Sequence, residues 1–86
     1  MTSTSTLSGR DRAILRAVAA GGAELQVGAE PELFLDGRSC VDQYAAQRLV
    51  HAGYIAAATL GLIGQRVAAA LTAAGHAELD GYALAA

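Results

Sequence analysis

Residues 39–55, SCVDQYAAQRLVHAGYI, indicate one capped helix that ends at a glycine and passes directly into a strand. Ser39 is placed to be the N-cap, because its hydroxyl can accept from the free backbone N–H groups of the first turn. Asp42, three residues on, gives a short-armed capping box and suits the positive end of the helix. Gly53 stands where a left-handed residue is wanted after the last turn. We therefore predict a central helix between Ser39 and Gly53.

The two sides of this central helix differ in polarity. One stripe at helical spacing is apolar and is predicted to face the core: Val41, Ala45, Leu49 and Ala52. The opposite side is polar, with Arg48 at its margin and Val50 exposed or half-buried, and it carries Gln43, Tyr44, Gln47 and His51. Gln and Arg can read adenine and guanine in the major groove, each through two hydrogen bonds. An ordinary solvated face explains the same pattern, since surface helices are usually polar on one side.

The composition limits both the size and the charge of the protein. Its 86 residues make one domain, and a domain of this size buries only about 60% of its unfolded surface. We expect a homodimer, because association would add stability. The net charge of −2 is less basic than is typical of a strong nucleic-acid binder. The charge is also uneven: residues 1–21 carry +2, residues 22–42 carry −4, and the remainder balances.

Several classes of protein are disfavoured. One cysteine rules out an internal disulfide framework and a Cys-based zinc cluster, and Cys40 is expected to be a small half-buried residue. No basic segment followed by an apolar core marks a secretory signal. Residues 49–65 lack charged side chains, but the run is too short and too weakly apolar for a membrane span. We expect a cytoplasmic protein without a membrane partner.

The N-terminal part is predicted to hold a disordered tail, residues 1–7, before a single domain over residues 8–86. Ser8 is predicted to cap a first helix with Asp11 at its third position, and Gly21-Gly22 to end it. The buried stripe of this helix is predicted to be Ile14, Leu15 and Val18. Three arginines could contact phosphates or could serve solubility alone: Arg10, Arg12 and Arg16.

Residues 23–36 change to an alternation of period two, which predicts a β-hairpin. Residues 28–31, Gly-Ala-Glu-Pro, form its turn, and Asp36-Gly37 forms a second turn that leads to the cap at Ser39. The hairpin is acidic, with Glu24, Glu30, Glu32 and Asp36. These carboxylates repel phosphate, so we expect this side to point away from DNA or toward a protein.

The C-terminal part is predicted to contain two strands and a helix. Residues 54–59 begin one strand, Gly61 and Gly64 bracket a tip, and residues 65–72 return, although by propensity this stretch is also a good helix. Thr72 is predicted to cap a last helix that serves as a dimer element or as a strap over the core. Its apolar face would hold Leu79, Tyr82, Ala83 and Ala86.

Two segments resemble winged-helix proteins. Residues 48–55, RLVHAGYI, look like the end of a winged-helix recognition helix, in which leucine, three residues and glycine precede an apolar pair that opens the wing. Residues 71–79, LTAAGHAEL, are similar to the segment that closes the wing in MarR-like proteins. The resemblance implies an α+β winged-helix-like domain of helix, β-hairpin, central helix, two-stranded wing and C-terminal helix. The acidic hairpin departs from the family, since it occupies the place of the usual second helix.

The resemblance also implies a function. Winged-helix proteins typically bind duplex DNA as dimers and act in transcription, so we expect a small DNA-binding transcriptional regulator. Independently of the resemblance, His51 and His76 complete no catalytic or metal-binding arrangement, so we expect no enzyme, cofactor or metal. The implied DNA-binding residues are Gln43, Tyr44, Gln47 and Arg48 on the central helix, Arg66 near the wing, and Arg10, Arg12 and Arg16. The alternative is a protein-interaction module that binds a larger regulatory protein through the acidic hairpin or the apolar C-terminal face.

Overall fold

The computed structural model describes residues 7–85, and within the last helix it describes side chains as far as Gly81. The predicted disorder of residues 1–6 lies outside the described residues, whereas Leu7 is buried in the core. Three helices and one five-stranded antiparallel sheet form a small α+β domain. The elements are α1 (Gly9–Ala19), β1 (Ala23–Gln26), β2 (Glu32–Leu35), β3 (Arg38–Ser39), α2 (Gln43–His51), β4 (Ile55–Ala57), β5 (Arg66–Leu71) and α3 (Ala73–Ala85).

Helix α1 begins and ends as its sequence predicts. The Ser8 hydroxyl accepts from the Asp11 N–H at 3.1 Å, and the Asp11 carboxylate accepts from the Ser8 N–H at 3.0 Å. This reciprocal capping box satisfies two of the free donors at the helix start. At the other end, Gly21 and Gly22 take the left-handed backbone that stops the helix.

The sheet has the strand order β3-β2-β1-β5-β4. Central strand β1 joins the two hairpins, because Leu25 lies opposite Leu33 on β2 and opposite Val67 on β5. Strand β5 also pairs with β4, where Ala56 lies opposite Ala70. The predicted hairpin over residues 23–36 is confirmed, and residues 65–72 contain the returning strand, not a helix.

Strand β3 was not predicted, and it corrects the start of the central helix. Asp36 and Gly37 both have positive φ, 53° and 81°, which is the two-residue turn that keeps paired strands together. The turn therefore returns the chain along β2, and Ser39 lies in β3, where its hydroxyl donates to Glu32 Oε2 at 2.6 Å. The predicted N-cap at Ser39 is wrong. Asp42 is the N-cap and accepts from the Ala45 N–H at 3.0 Å.

This later start also changes which residues of α2 face the core. Val41 precedes the helix and is fully exposed, and Ala52 follows it and is exposed, so both were wrongly predicted to be buried. Ala45 and Leu49 are buried as predicted, and Ala46 joins them. Gly53 has the predicted left-handed conformation, and Tyr54 leads directly into β4.

Helices α1 and α2 cover one face of the sheet. The core between them and the sheet includes Leu15, Leu33, Leu49 and Ile55, all nearly inaccessible to solvent. The other sheet face carries the alternate residues, among them Glu24, Gln26, Glu32, Phe34 and Arg66. Arg66, which lies opposite Gln26 on that face, is therefore separated from α2 by the thickness of the sheet.

Helix α3 is capped as predicted, since the Thr72 hydroxyl accepts from the Gly75 N–H at 3.1 Å. Leu79 packs against the core, whereas the side chains of Tyr82, Ala83 and Ala86 lie outside the described residues. Within the described part of the chain, no helix has the length and apolar character needed to cross a bilayer.

Candidate nucleic-acid interface

The outer side of α2 is the surface to which the sequence assigns DNA binding. Residues 43–52 contain no acidic side chain and hold Arg48 and His51. Tyr44 is 75% exposed, Gln47 is half-buried, and the Arg48 side chain is 46% exposed. Three of the four predicted residues of α2 therefore lie together on an accessible surface that carries positive charge.

Gln43, the fourth, is engaged within the fold. Its side-chain amide donates to the Leu33 carbonyl at 2.9 Å and accepts from the Leu33 N–H at 3.0 Å. The Cys40 carbonyl and the Ser39 hydroxyl lie 2.8 Å and 3.0 Å from the same amide nitrogen, so its two N–H groups are shared among three acceptors. With donors and acceptor used in this way, the Gln43 side chain joins the start of α2 to β2 and β3.

Arg48 links α2 to the first turn of α1. Its guanidinium donates to Asp11 Oδ1 at 2.8 Å, and its Cζ lies 5.8 Å from the centre of the Tyr44 ring. Asp11 is 1% exposed, so its charge needs this partner. The Arg48 side chain is thus oriented within the site, and its charge is partly neutralised by the buried Asp11 carboxylate.

Arg10 is paired with the N-cap of α2. Its guanidinium donates to Asp42 Oδ2 at 3.0 Å across the gap between the two helices. The Asp42 carboxylate therefore both caps α2 and neutralises the nearest arginine of α1. Asp11 and Asp42 were predicted as the third helical residues of capping boxes begun by Ser8 and Ser39, and their role as partners of arginine residues was not predicted.

The contacts of Asp11 and Asp42 with backbone N–H groups and arginines change the pKa values of both carboxyl groups. Burial disfavours the charged form of Asp11, but hydrogen bonds from the Ser8 backbone and the Arg48 guanidinium outweigh it and lower the Asp11 pKa below its usual value. For Asp42, the Ala45 N–H and then the Arg10 guanidinium lower the pKa of the carboxyl. Both carboxylates are therefore charged at neutral pH and reduce the positive potential around α2.

Arg12 and Arg16 face outward on α1 as predicted, but they are placed differently from Arg10. Arg12 is half-buried and donates to the Leu7 carbonyl at 2.9 Å. Arg16 is exposed and forms no ion pair among the described residues. The same holds for Arg38 of β3, which the sequence did not single out.

Arg66 lies on the sheet face opposite α2. Its guanidinium carbon is 3.6 Å from the centre of the Phe34 ring, and one of its nitrogens is 3.8 Å from Glu24 Oε1. This stacking buries Phe34, which the alternation of the hairpin placed on the outer face. Arg66 is therefore not brought together with the residues of α2.

The β4–β5 connection, residues 58–65, forms an apolar tip instead of a basic one. Leu60, Leu62 and Ile63 are 101%, 79% and 89% exposed. The backbone beneath them is held, since the Gly64 N–H donates to the Val27 carbonyl at 2.8 Å and the Leu62 N–H donates to the Gln65 side chain at 2.9 Å. The two glycines predicted the tip, whereas its exposed apolar residues, Leu60 before Gly61 and Leu62 and Ile63 after it, were not interpreted from the sequence.

The metal-ligating side chains are scattered among the described residues. No group of three His, Cys, Asp or Glu side chains among them could hold a metal ion. His51 lies 3.3 Å from the Ala29 carbonyl at the end of α2, and Cys40 is buried. Comparison of the chain with protein families, curated proteins and solved structures gives no match.

Proposed function

We propose that the protein is a small DNA-binding protein of winged-helix type that places the outer side of α2 against duplex DNA and acts as a dimer in transcription regulation. The observation that carries this proposal is that residues 43–52 contain no acidic side chain and that Tyr44, Gln47 and Arg48 are accessible there, directly before the β4–β5 hairpin. The two nearby carboxylates, Asp11 and Asp42, belong to α1 and to the N-cap of α2. The order of the elements supports it, because the helix is followed by two strands and the second of them returns to β1.

The contact surface is smaller than the sequence implies. Tyr44, Gln47 and Arg48 would meet the bases or the backbone, and Arg10 would meet a flanking phosphate. Gln43 would act by holding α2 against β2 and not by reading bases. Arg66 belongs to the other face of the sheet, while phosphate contact by Arg12 and Arg16 stays a prediction.

Binding by one copy should be weak and only mildly dependent on salt. Each phosphate contact contributes a slope of about −0.9 to the dependence of log affinity on log salt concentration. Because Asp42 pairs with Arg10 and Asp11 with Arg48, few unpaired positive charges are available to release counterions. Two copies on one duplex would double the number of contacts.

The pairing of Arg10 with Asp42 gives a direct test. Asp42→Asn keeps a good N-cap for α2 but releases Arg10 for a phosphate. We expect fluorescence polarisation with random-sequence duplex DNA at low salt to show tighter binding of this variant, by about two- to fivefold, the size expected for one exposed ion pair.

Asp80→Asn is the matched control, since it removes one negative charge from an exposed position on α3. The proposal predicts a smaller gain for Asp80→Asn than for Asp42→Asn. Equal gains would mean that only net charge matters. If the folded wild-type protein bound no DNA even at low salt, the proposed function would be contradicted.

A second candidate function is a protein-interaction module. The exposed apolar tip favours it, because isolated loops of this kind on soluble proteins commonly mark interaction sites. The acidic hairpin supports a protein-interaction function less than the sequence implies. Two of its carboxylates are engaged within the fold, because Glu24 faces Arg66 and Glu32 accepts from the Ser39 hydroxyl. A folded protein that fails to bind DNA while still associating through its tip would favour this second function.

A further inference from the structure

The two edges of the sheet differ in protection. Strand β3, at one edge, has only two residues and carries the exposed charge of Arg38. Charge and short length are the usual means by which proteins prevent edge strands from pairing. The β4 edge has no charged protection, because residues 49–65 contain no Asp, Glu, Lys or Arg, and residues 56–60 are all exposed.

The hydrogen bonds of β4 show which backbone groups are available. The Thr72 N–H donates to the Tyr54 carbonyl at 3.0 Å, and the Ala58 N–H donates to the Ala68 carbonyl at 2.8 Å. Residues 54, 56 and 58 therefore direct their polar backbone groups toward β5. By the alternation of an antiparallel ladder, Ile55 and Ala57 direct theirs outward.

Two apolar features adjoin this edge. The tip continues the chain beyond β4 and exposes Leu60, Leu62 and Ile63. At the start of β4 a groove opens, lined largely by apolar side chains, among them Leu25, Val27, Pro31, Val50 and Ile55. An exposed apolar segment and an apolar recess thus both adjoin β4.

We infer that a second copy of this chain pairs its β4 with this β4, antiparallel across a two-fold axis, and that each tip covers the groove of the other copy. A register centred on Ala57 would place Leu60 of one copy beside Tyr54 of its partner, where the groove opens. The same edge supplies both parts, as a closed two-fold interface requires. The absence of charge along this edge lets two copies meet without repulsion, although each has a net charge of −2.

Sedimentation velocity over a concentration series tests this interface. We expect the wild-type protein to be a reversible dimer. Ala57→Pro removes an outward N–H that β5 does not use, and Leu62→Asp places a charge in the interface. Each should raise the dimer dissociation constant by about tenfold or more, as expected for a central interface residue.

Val41→Asp is the matched control, because Val41 is a fully exposed aliphatic residue beside β3, at the opposite edge of the sheet. It should leave the dissociation constant unchanged, and urea unfolding should show that all three variants are folded. A wild-type monomer at every concentration, open-ended aggregates, or a dimer equally affected by Val41→Asp would overturn the inference, as would a monomer that binds lipid vesicles through its tip.

A cysteine variant tests the register without weakening the interface. In a register centred on Ala57 the two copies of this residue lie opposite each other, about 5.5 Å apart at Cα, which a disulfide can span. Ala57→Cys should therefore form a covalent dimer under mild oxidation, and Val41→Cys should not. Equal cross-linking of both variants would contradict the register. The proposed function includes a dimer but assigns it no interface. Pairing through β4 and contact of α2 with DNA use different surfaces, so failure of one is distinguishable from failure of the other.

Discussion

Asp11 is a buried carboxylate that accepts hydrogen bonds both from the start of α1 and from α2. It closes the capping box of α1 and accepts from Arg48 of α2 at 2.8 Å. Asp11→Ala should lower the free energy of unfolding by about 2 kcal/mol, the usual size for a lost hydrogen bond to a charged group. Urea denaturation measures this, with Asp80→Ala as the exposed control. An effect as small as that of Asp80→Ala would contradict the role given to Asp11.

The lowered pKa values of Asp11 and Asp42 predict the acid response of the protein. Between the folded and the unfolded pKa the unfolded state binds more protons, so the free energy of unfolding falls as the pH falls. The contribution is complete above about pH 5 and is lost below the ordinary aspartate pKa of 3.8. Urea denaturation of Asp11→Asn across this range should show a flatter pH profile than the wild type. An unchanged profile would assign the acid sensitivity to other groups.

Gln43 is predicted to stabilise the fold more than it contributes to binding. Gln43→Ala removes the partner of the Leu33 N–H and should lower the free energy of unfolding by about 1–2 kcal/mol. Thermal or urea unfolding measures this effect. Gln47→Ala is the control, because Gln47 is also half-buried on α2 and its side chain forms no hydrogen bond to another of the described residues. If Gln43→Ala left the stability unchanged and lowered the DNA affinity, Gln43 would instead contact bases in the major groove, as the sequence predicts.

At the scale of the element, α3 contains two glycines with opposite expected behaviour. A Cβ at Gly75 would clash with the Tyr54 carbonyl oxygen, whereas one at Gly81 would meet open space. Alanine normally stabilises a helix by about 1 kcal/mol relative to glycine. We expect Gly81→Ala to raise the free energy of unfolding and Gly75→Ala to lower it, by urea denaturation. Stabilisation by both substitutions would show that α3 is not packed closely on the start of β4.

Most elements could be predicted from local signals, and the start of α2 shows why one could not. Ser8, Gly21-Gly22 and Thr72 mark helix ends through their own backbone contacts, so α1 and α3 follow from short stretches of sequence. Before α2, both Ser39 and Asp42 are suitable N-caps. The choice is made by the Asp36-Gly37 turn, which commits Ser39 to pairing with Phe34. Because strand pairing decides where α2 begins, the residues at the start of the helix do not suffice to predict it.

At the scale of the whole molecule, the candidate site depends on contacts between distant residues. The polarity of α2 could be predicted from helical spacing, but the pairing of Arg10 with Asp42 and of Arg48 with Asp11 joins residues 32 and 37 positions apart. The position of Arg66 depends on the register of β1 and β5, which places it over Phe34. The exposed tip was present in the sequence, but exposure depends on the whole fold.

The proposed function requires that the outer side of α2 meets DNA. Titration of the ¹⁵N-labelled protein with random-sequence duplex at low salt, followed by amide chemical shifts, tests it most directly. We predict that the largest changes occur at Tyr44, Gln47, Arg48 and His51, that Arg10 follows, and that the acidic hairpin is unaffected. Changes confined to residues 58–65, or no changes from a folded sample, would contradict the account.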